Sequence, residues 1–211
     1  SNLATKILFT SEVLFPSDWP STPTISLDGA SITEDASQFL PSYMTVSRQY
    51  QNYTAWPSST NELKAAVVDS VNSGFMFWEH MGHGYRNTLS VGDNVLTNTD
   101  VDALTNAGRQ GIVYSVNCNS ASFEFNCIAE RFLLNQHGGG VAYIGASRYD
   151  FPTTVWGYQT TFFDYTFQDT IPGYTLGAAD DESTVFYVPY SGSDNSHRWT
   201  QMAVTLLGDP A

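Results

Sequence analysis

The feature that most constrains the fold is a series of short apolar runs that alternate with helix-like segments. Three of these runs, at 75–81, 111–116 and 141–147, show no regular alternation of polar and apolar positions. A strand with one face in water shows that alternation, whereas a strand of a parallel sheet is covered on both faces and is apolar along its length. The pattern therefore predicts a mostly parallel sheet with helices on both sides, a three-layer α/β/α sandwich.

The segments between these runs carry helix signals. Ser59 and Glu62 have the spacing of a capping box, and an apolar stripe follows them as far as Gly74, which is expected to end the helix. Residues 190–196 are predicted to form a solvated loop. The other predicted helices lie at 32–40, 99–108, 127–140, 156–168 and 198–207, and the other predicted strands at 6–15 and 44–53.

The length of 211 residues suffices for one domain with a sizeable core, and two small domains are the alternative that length leaves open. We expect a single catalytic domain over 1–211. The first residues run directly into a predicted strand, which is typical of a piece released from a longer polypeptide. The sequence contains no run of about 18 apolar residues, so no segment is expected to span a bilayer.

The charge balance bears on the expected partners. The chain has 8 Lys and Arg residues against 21 Asp and Glu residues, a formal net charge of −13. Such a surface repels phosphate backbones and anionic lipids, so neither nucleic acid nor a membrane is an expected partner. The charge suits an extracellular protein and favours cationic substrates or Ca²⁺, although most of the carboxylates are expected only to be solvated.

Two polar motifs follow two of the apolar runs. The run at 75–81 ends in Gly-His-Gly, and the run at 111–116 ends in Asn-Cys-Asn-Ser. Reactive groups of parallel sheets gather at the carboxyl ends of strands, so His83 and Cys118 are expected to face each other if the two strands are neighbours. A thiol with an ordinary pKa of about 8.5 needs a base such as imidazole to act as a nucleophile at neutral pH. The backbone N–H groups of Gly84 and Cys118 are candidates for binding a developing oxyanion.

These residues also have structural interpretations. A cysteine at a strand end is often a small buried apolar residue, and a Gly-His-Gly sequence is often only a turn. Cys127 follows Cys118 without CxxC spacing, so no zinc or redox motif is predicted, and a disulfide between the two cysteines remains open. His80 is expected to point to the opposite side of the extended chain from His83, as a packing or hydrogen-bonding residue.

The ordered motifs resemble one known family. The strand that ends in "GHG", the stretch "IVYSVNCNSASFEFNCIAERFLLNQHGGGVAYIGASR" and the closing "LLGDPA" are similar to the gingipain family of cysteine endopeptidases, in the clan of caspases and legumain. The resemblance runs from about residue 6 to the end of the chain. It implies a caspase-like α/β/α fold with Cys118 as the nucleophile and His83 as the histidine of a dyad. It also places Cys127 at a buried helical position.

The resemblance also implies positions for an acid and for a specificity group. Glu12, at the end of the first predicted strand, stands where gingipain-like enzymes carry a glutamate that supports the catalytic histidine; the alternative is a solvated or salt-bridged carboxylate. Gingipain-like enzymes cleave after basic residues. Their acidic group falls near Ser31 here, a neutral residue with Asp28, Glu34 and Asp35 around it, so basic specificity is not implied.

The wall of the substrate pocket is expected from the segment that follows the strand at 141–147. Arg148 has two other interpretations, the attraction of an acidic substrate group or a surface ion pair with a carboxylate. The positional candidates for substrate binding are Ser147, Arg148, Tyr149, Phe151 and Trp156.

No cofactor is expected to be required. Members of the gingipain family bind calcium, and a structural Ca²⁺ is the one ion that the resemblance allows. The stretches "TNTDVD" (97–102) and "DDES" (180–183) supply oxygen ligands without EF-hand spacing, and helix capping explains the first of them. No metal ligand is predicted.

The hypothesis that follows is a secreted or cell-surface cysteine endopeptidase that hydrolyses protein or peptide substrates through a thioacyl-enzyme intermediate. Gingipains carry another subdomain ahead of the matching region and an immunoglobulin-like one after it. We therefore expect the catalytic part of a longer secreted precursor, whose other domains are its partners, or a compact relative. Two alternatives are a transpeptidase with the same dyad, as in gingipain-like secretion-system enzymes, and a non-catalytic interaction module with the same fold.

Overall fold

Strands and helices alternate along the part of the chain that this computed structural model describes, residues 3–168 and 175–211. The strands are β1 Lys6–Ser11, β2 Val13–Phe15, β3 Leu27–Asp28, β4 Thr45–Tyr50, β5 Thr60–Asn61, β6 Phe77–Met81, β7 Gly84–Tyr85, β8 Thr88–Val91, β9 Asn94–Thr97, β10 Gly111–Val116, β11 Gly140–Ala146 and β12 Val204–Gly208. The helices are α1 Gly29–Ser37, α2 Lys64–Ser73, α3 Asn98–Asp102, α4 Ile128–Leu134, α5 Pro152–Phe167, α6 Leu176–Tyr187 and α7 Asn195–Ala203.

The central sheet is mixed but mostly parallel, as predicted. Within the described ranges its strands follow the order β12-β11-β10-β6-β1-β4-β5. Every neighbouring pair is parallel except β11 and β12, which are antiparallel. β6 and β10 are direct neighbours, with Met81 opposite Val116 at their carboxyl ends. The residues that follow these two strands therefore leave the sheet at the same edge.

Helices cover both faces of the sheet, which confirms the three-layer fold. Successive residues of β1 belong to different layers, because Ile7 and Phe9 pack into one core and Leu8 packs into the other. The first core contains side chains of α1, α5 and α6, and the second contains side chains of α2, α3 and α4. This two-sided burial explains why the strands are continuous apolar runs.

The predicted strand at 6–15 is broken at Glu12. The backbone N–H of Glu12 donates to Met81 O (2.9 Å), and its carbonyl accepts from Gly29 N (2.9 Å). Beyond this point the chain leaves the central sheet, and β2 pairs with β3 instead. The sequence of this stretch does not reveal such a change of partner, because buried apolar residues stand on both sides of Glu12.

The predicted capping box of α2 is wrong. The helix begins at Lys64, whose backbone N–H donates to the Asp93 carboxylate (2.8 Å). Glu62 lies outside the helix, and its carboxyl group is buried. The cap is thus supplied by the turn between β8 and β9, a contact between residues far apart in the sequence.

The C-terminal region also differs from the prediction. The helix expected at 198–207 ends at Ala203, and the following residues form the edge strand β12. The prediction missed α6 and the small antiparallel sheet of β7, β8 and β9. The three 3₁₀ helices of the described part lie at Leu3–Thr5, Tyr53–Ala55 and Val188–Gly192. The last of them overlaps the start of the loop predicted at 190–196, and α7 begins at Asn195, before that loop was expected to end.

Candidate active site

The Gly-His-Gly and Asn-Cys-Asn-Ser motifs meet at the carboxyl edge of the sheet. Gly82 N–H donates to Val116 O (3.1 Å), which continues the pairing of β6 and β10 by one residue. His83 and Cys118 then line the same cavity, whose volume is about 80 Å³. The apolar side of this cavity is formed by Leu14, Phe15, Met81, Val116 and Pro152.

The imidazole of His83 is held at one ring nitrogen. Its Nε2 lies 3.0 Å from the carbonyl oxygen of Leu14, and its ring meets the ring of Phe15 edge to face with centroids 6.2 Å apart. A carbonyl oxygen only accepts hydrogen bonds, so the neutral ring carries its proton on Nε2. Nδ1 is then the basic nitrogen of the neutral imidazole.

Glu12 holds the backbone of the His83 loop. Its Oε2 accepts the backbone N–H of His83 (3.0 Å), while the imidazole Nε2 is hydrogen-bonded to Leu14 instead. Burial raises the pKa of the Glu12 carboxyl group, although the hydrogen bond from His83 and the nearby Ser90 hydroxyl oppose that rise. The carboxylate therefore fixes the position of His83 through the main chain.

Cys118 is half-buried at the mouth of the cavity. Its Sγ lies 3.5 Å from the backbone nitrogen of Asp150, an orientation in which the N–H points at the sulfur. Burial raises the pKa of the Cys118 thiol, and this N–H contact partly offsets the rise. The sulfur is thus a thiol in the free protein and requires a base to become a thiolate.

The loop around Cys118 is tightly constrained. Asn119 has φ = 62°, an uncommon conformation for a residue with a side chain, and its N–H donates to Arg148 O (2.9 Å). Asn117, on the other side of Cys118, donates from its amide to Ser115 Oγ (2.5 Å). A Cβ atom at Gly84 would lie 2.8 Å from Cγ of Asn117, so only glycine allows the two loops to pack this closely.

Asp150 also lines this cavity, although the sequence did not predict it. It lines the same space as His83 and Cys118. Its carboxylate accepts Phe151 N–H (2.8 Å), and burial raises its pKa to about 6. No motif marks this residue in the sequence; only its position after β11 brings it to the site.

The predicted pocket-wall residues separate into two groups. Ser147 and Arg148 line a second cavity of about 720 Å³, and the carbonyl of Tyr149 accepts the indole N–H of Trp199 (2.6 Å). Phe151 is the N-cap residue of α5, and Trp156 packs against the core from the same helix. Neither of these two residues lines the 80 or the 720 Å³ cavity.

The acidic residues near Ser31 have structural partners. Asp28 caps α1 and accepts the indole N–H of Trp56 (3.1 Å). Glu34 forms an ion pair with Arg48 (2.7 Å). The Ser31 hydroxyl donates to Asp28 O (2.7 Å). None of these side chains lines the cavity of Cys118.

The oxygen-rich stretch at 97–102, considered above for calcium, has a structural role. Over 3–168 and 175–211, no group of three or more His, Cys, Asp or Glu side chains is arranged to hold a metal. Asp100 completes the capping box of α3 with Thr97 and pairs with Lys64 (2.8 Å). Its Oδ2 accepts from the Thr97 backbone N–H (2.8 Å) and hydroxyl (2.6 Å) as well as from Lys64, in keeping with the helix-capping role.

The remaining histidine and cysteine of interest are structural. His80 is fully buried between Ser115 Oγ (2.8 Å) and Ser90 O (2.7 Å), and burial lowers its pKa to about 4. Cys127 is fully buried at the N-cap of α4. Both cysteines are free thiols, so the disulfide that the sequence left open is not formed.

The sheet order and the helices on both of its faces define a class, the caspase-like α/β/α proteins. The sequence profile of peptidase family C25, the gingipain family, matches residues 2–211, and the chain belongs to this family of cysteine peptidases. Comparison with the sequences of curated proteins found no match. In the described part of the chain, no helix is long and apolar enough to cross a membrane.

Three solved structures are similar in fold. The structure titled "Crystal structure of the Arg specific cysteine proteinase gingipain R (RGPB)" is 19% identical with a TM-score of 0.74, covering 99% of this chain and 47% of its own. The complex of Porphyromonas gingivalis RgpB pro- and mature domains is 18% identical with a TM-score of 0.75, covering 99% and 48%. A structure titled "Structure of Protease" is 16% identical with a TM-score of 0.72, covering 99% and 48%. The chain thus spans about half the length of these structures.

Proposed function

We propose that the chain is the catalytic domain of a secreted cysteine endopeptidase that uses Cys118 and His83 as its dyad. The observation that carries the proposal is that the two motifs, far apart in the sequence, line one cavity at the carboxyl edge of the sheet. Family membership and the gingipain-like fold support it. Protein or peptide substrates follow from this activity, and other domains of a longer precursor are the proposed partners, because the solved relatives are about twice as long as this chain.

The proposed reaction begins with proton transfer from Cys118 Sγ to Nδ1 of His83. The thiolate attacks the carbonyl carbon of the scissile bond, and the carbonyl oxygen becomes an oxyanion. The imidazolium gives its proton to the leaving amine as the C–N bond breaks, which leaves a thioester on Cys118. A water molecule then attacks the thioester with His83 as the base, releasing the acid and restoring the thiol.

The proposal also includes oxyanion donors, groups that hold His83 and a substrate-binding segment. The backbone N–H groups of Gly84 and Cys118 are the proposed donors to the oxyanion. The Leu14 carbonyl stabilises the imidazolium by accepting its Nε2 proton (3.0 Å). The Glu12 carboxylate holds His83 in position by accepting the backbone N–H of His83. Ser147, Arg148, Tyr149, Phe151 and Trp156 are retained as the proposed substrate-binding segment.

The first test compares cysteine labelling and peptide cleavage. Iodoacetamide is expected to modify half-buried Cys118 much faster than fully buried Cys127, as measured by peptide mass mapping. Cys118→Ala is expected to lower kcat/KM on a profiled peptide library by roughly 10⁴-fold or more, because the nucleophile is lost. Cys127→Ser is the matched control and should keep its activity. If both cysteines were labelled slowly at the same rate and Cys118→Ala kept full activity, the proposed dyad would be wrong.

A further inference from the structure

A second cavity lies beside the candidate active site, between the segment that follows β11 and helix α7. Its volume is about 720 Å³. The walls that matter for recognition are Phe123, Arg148, Arg198, Trp199 and Met202. None of these residues takes part in the proposed peptide-bond chemistry.

The charge of this cavity is opposite to that of the chain. Two of the 8 basic residues line it, and among the described residues no Asp or Glu does, although the chain has 21 of them. Arg148 pairs with Glu124 (2.5 Å), but Arg198 donates only to the neutral Ser191 carbonyl (3.1 Å) among the contacts described. Helix α7 itself carries no Asp or Glu, and the side chain of Asp194, its N-cap residue, accepts from Ser196.

The rest of the cavity is an exposed apolar wall. Met202 is 80% exposed, Phe123 is 56% exposed and Trp199 is 43% exposed, which is unusual for such large apolar side chains so close together. The indole of Trp199 is fixed because its N–H donates to the Tyr149 carbonyl (2.6 Å). A fixed aromatic wall binds a ligand without first losing its own conformational freedom.

The cavity shares a wall with the candidate active site. Ser147 and Arg148 border it, and Asp150, two residues further along, borders the cavity of Cys118. The Arg148 carbonyl accepts Asn119 N–H (2.9 Å), and the Asp150 N–H contacts Cys118 Sγ (3.5 Å). An extended peptide with its scissile bond at Cys118 therefore reaches this second cavity within a few residues.

We propose that this cavity is a subsite for an acidic residue of the peptide substrate, with an apolar residue beside it. The substrate carboxylate binds the guanidinium of Arg198, and the apolar neighbour packs against Trp199 and Met202. Arg148 is already paired with Glu124, so Arg198 is the guanidinium left to bind the substrate carboxylate. This inference rests on the proposed endopeptidase function, whose substrate class it narrows.

Binding is tested first, without turnover. The Cys118→Ala variant is mixed with two pools of fluorescent ten-residue peptides. The Glu pool has Glu at the randomised positions and the Gln pool has Gln there. The affinity of each pool is measured by fluorescence anisotropy. The Glu pool is expected to bind about fivefold more tightly, the upper range for a solvent-accessible ion pair, and the difference should shrink with added salt. The double variant Cys118→Ala/Arg198→Gln should show no preference for the Glu pool. Adding Arg109→Gln, a matched change at the opposite end of β10, should keep it.

Turnover then separates this inference from the proposed function. With Cys118 present, kcat/KM should favour the Glu pool by a similar factor, and Arg198→Gln should equalise kcat/KM for the two pools. If both pools were cleaved at equal rates, or if the preference for the Glu pool persisted in Arg198→Gln, the acidic subsite would be wrong. The proposed endopeptidase function would still hold in either case. If the Glu pool bound selectively but neither pool were cleaved, the proposed endopeptidase function would be wrong, and the acidic binding site would remain supported.

Discussion

At the scale of single residues, the candidate site depends on backbone contacts that the sequence does not display. Glu12 reaches His83 through the main-chain N–H, and Leu14 reaches the imidazole through its carbonyl oxygen. Asp150 presents its N–H to Cys118 Sγ. The type of side chain matters little for two of these three contacts, so Leu14 and Asp150 carry no recognisable motif.

Glu12 provides a prediction at this scale. Replacing it by Ala removes the acceptor of the buried His83 N–H, so we expect a loss of about 1–3 kcal/mol in the free energy of unfolding. We also expect a fall of roughly 10- to 100-fold in kcat/KM, because His83 loses its fixed position. Urea unfolding and peptide hydrolysis measure the two effects.

Glu12→Gln is the control for this substitution. Its amide oxygen can still accept the His83 N–H, so most of the stability and activity should return. If Glu12→Gln lost as much activity as Glu12→Ala, charge would be the relevant property and the positioning role would be wrong.

At the scale of elements, the hairpin of β7 and β8 connects the loops that carry His83 and Cys118. The guanidinium of Arg86, in the hairpin turn, lies 3.5 Å from the ring centroid of Phe125, which belongs to the loop after Cys118. The Arg86 carbonyl also accepts Ile128 N–H (2.6 Å). These contacts hold the two loops at a fixed separation.

The Arg86–Phe125 contact should therefore be measurable as a coupling energy. A double-mutant cycle with Arg86→Met and Phe125→Leu is expected to give a coupling of about 0.5–2 kcal/mol in the free energy of unfolding, because both changes remove the same cation–π contact. Each single variant should also lower kcat/KM. Strictly additive effects, with unchanged activity in both single variants, would show that the hairpin does not position the site.

At the scale of the whole molecule, three glutamates, Glu12, Glu62 and Glu79, are buried among the described residues. Burial raises the pKa of Glu79 to about 8, and the pKa values of Asp150 and Asp180 to about 6. Glu79 lies at the centre of the sheet, where it accepts from Thr33 (3.2 Å) and Gln159 (2.6 Å). A group whose pKa is raised by folding binds more protons in the native state, so stability falls as pH rises toward that raised value.

The pH dependence gives a prediction for the whole fold. Between pH 6.5 and 8 the unfolded chain has Glu79 ionised while the native state still holds its proton, so the free energy of unfolding should decrease by about 1–2 kcal/mol. Buried His80, with its pKa lowered to about 4, has the opposite effect, but only below about pH 6.5. Urea unfolding across this range measures the slope.

The variant Glu79→Gln tests the assignment to this residue. The amide oxygen of glutamine can accept the same hydrogen bonds from Thr33 and Gln159 without ionising, so the decrease above pH 6.5 should become smaller by the contribution of Glu79. Burial also raises the pKa of the Glu62 carboxyl group, whose contribution remains in this variant. The exposed control Asp209→Asn should leave the wild-type slope unchanged. A slope that is the same in wild type and Glu79→Gln would show that another group causes the pH dependence.

The sequence by itself determined the architecture and the two motifs. Continuous apolar strands are possible only where helices cover both faces of a sheet, so the pattern predicted the α/β/α sandwich before any contact was known. Gly-His-Gly and Asn-Cys-Asn-Ser were visible because each directly follows such a strand. The edge strand β12 was mistaken for a helix because its half-exposed residues lack that two-sided signal.

Only the tertiary structure decided which residues surround those motifs. The cap of α2 comes from Asp93, the acceptor of the imidazole from Leu14, and the cavity with Arg198 and Trp199 from a helix at the other end of the chain. Each is a contact between residues distant in sequence, made through backbone atoms or side chains of ordinary type. Local patterns record the burial and helix or strand preference of a residue, and they do not record its neighbours across the fold. Those neighbours depend on strand order and on the helices packed over each strand end.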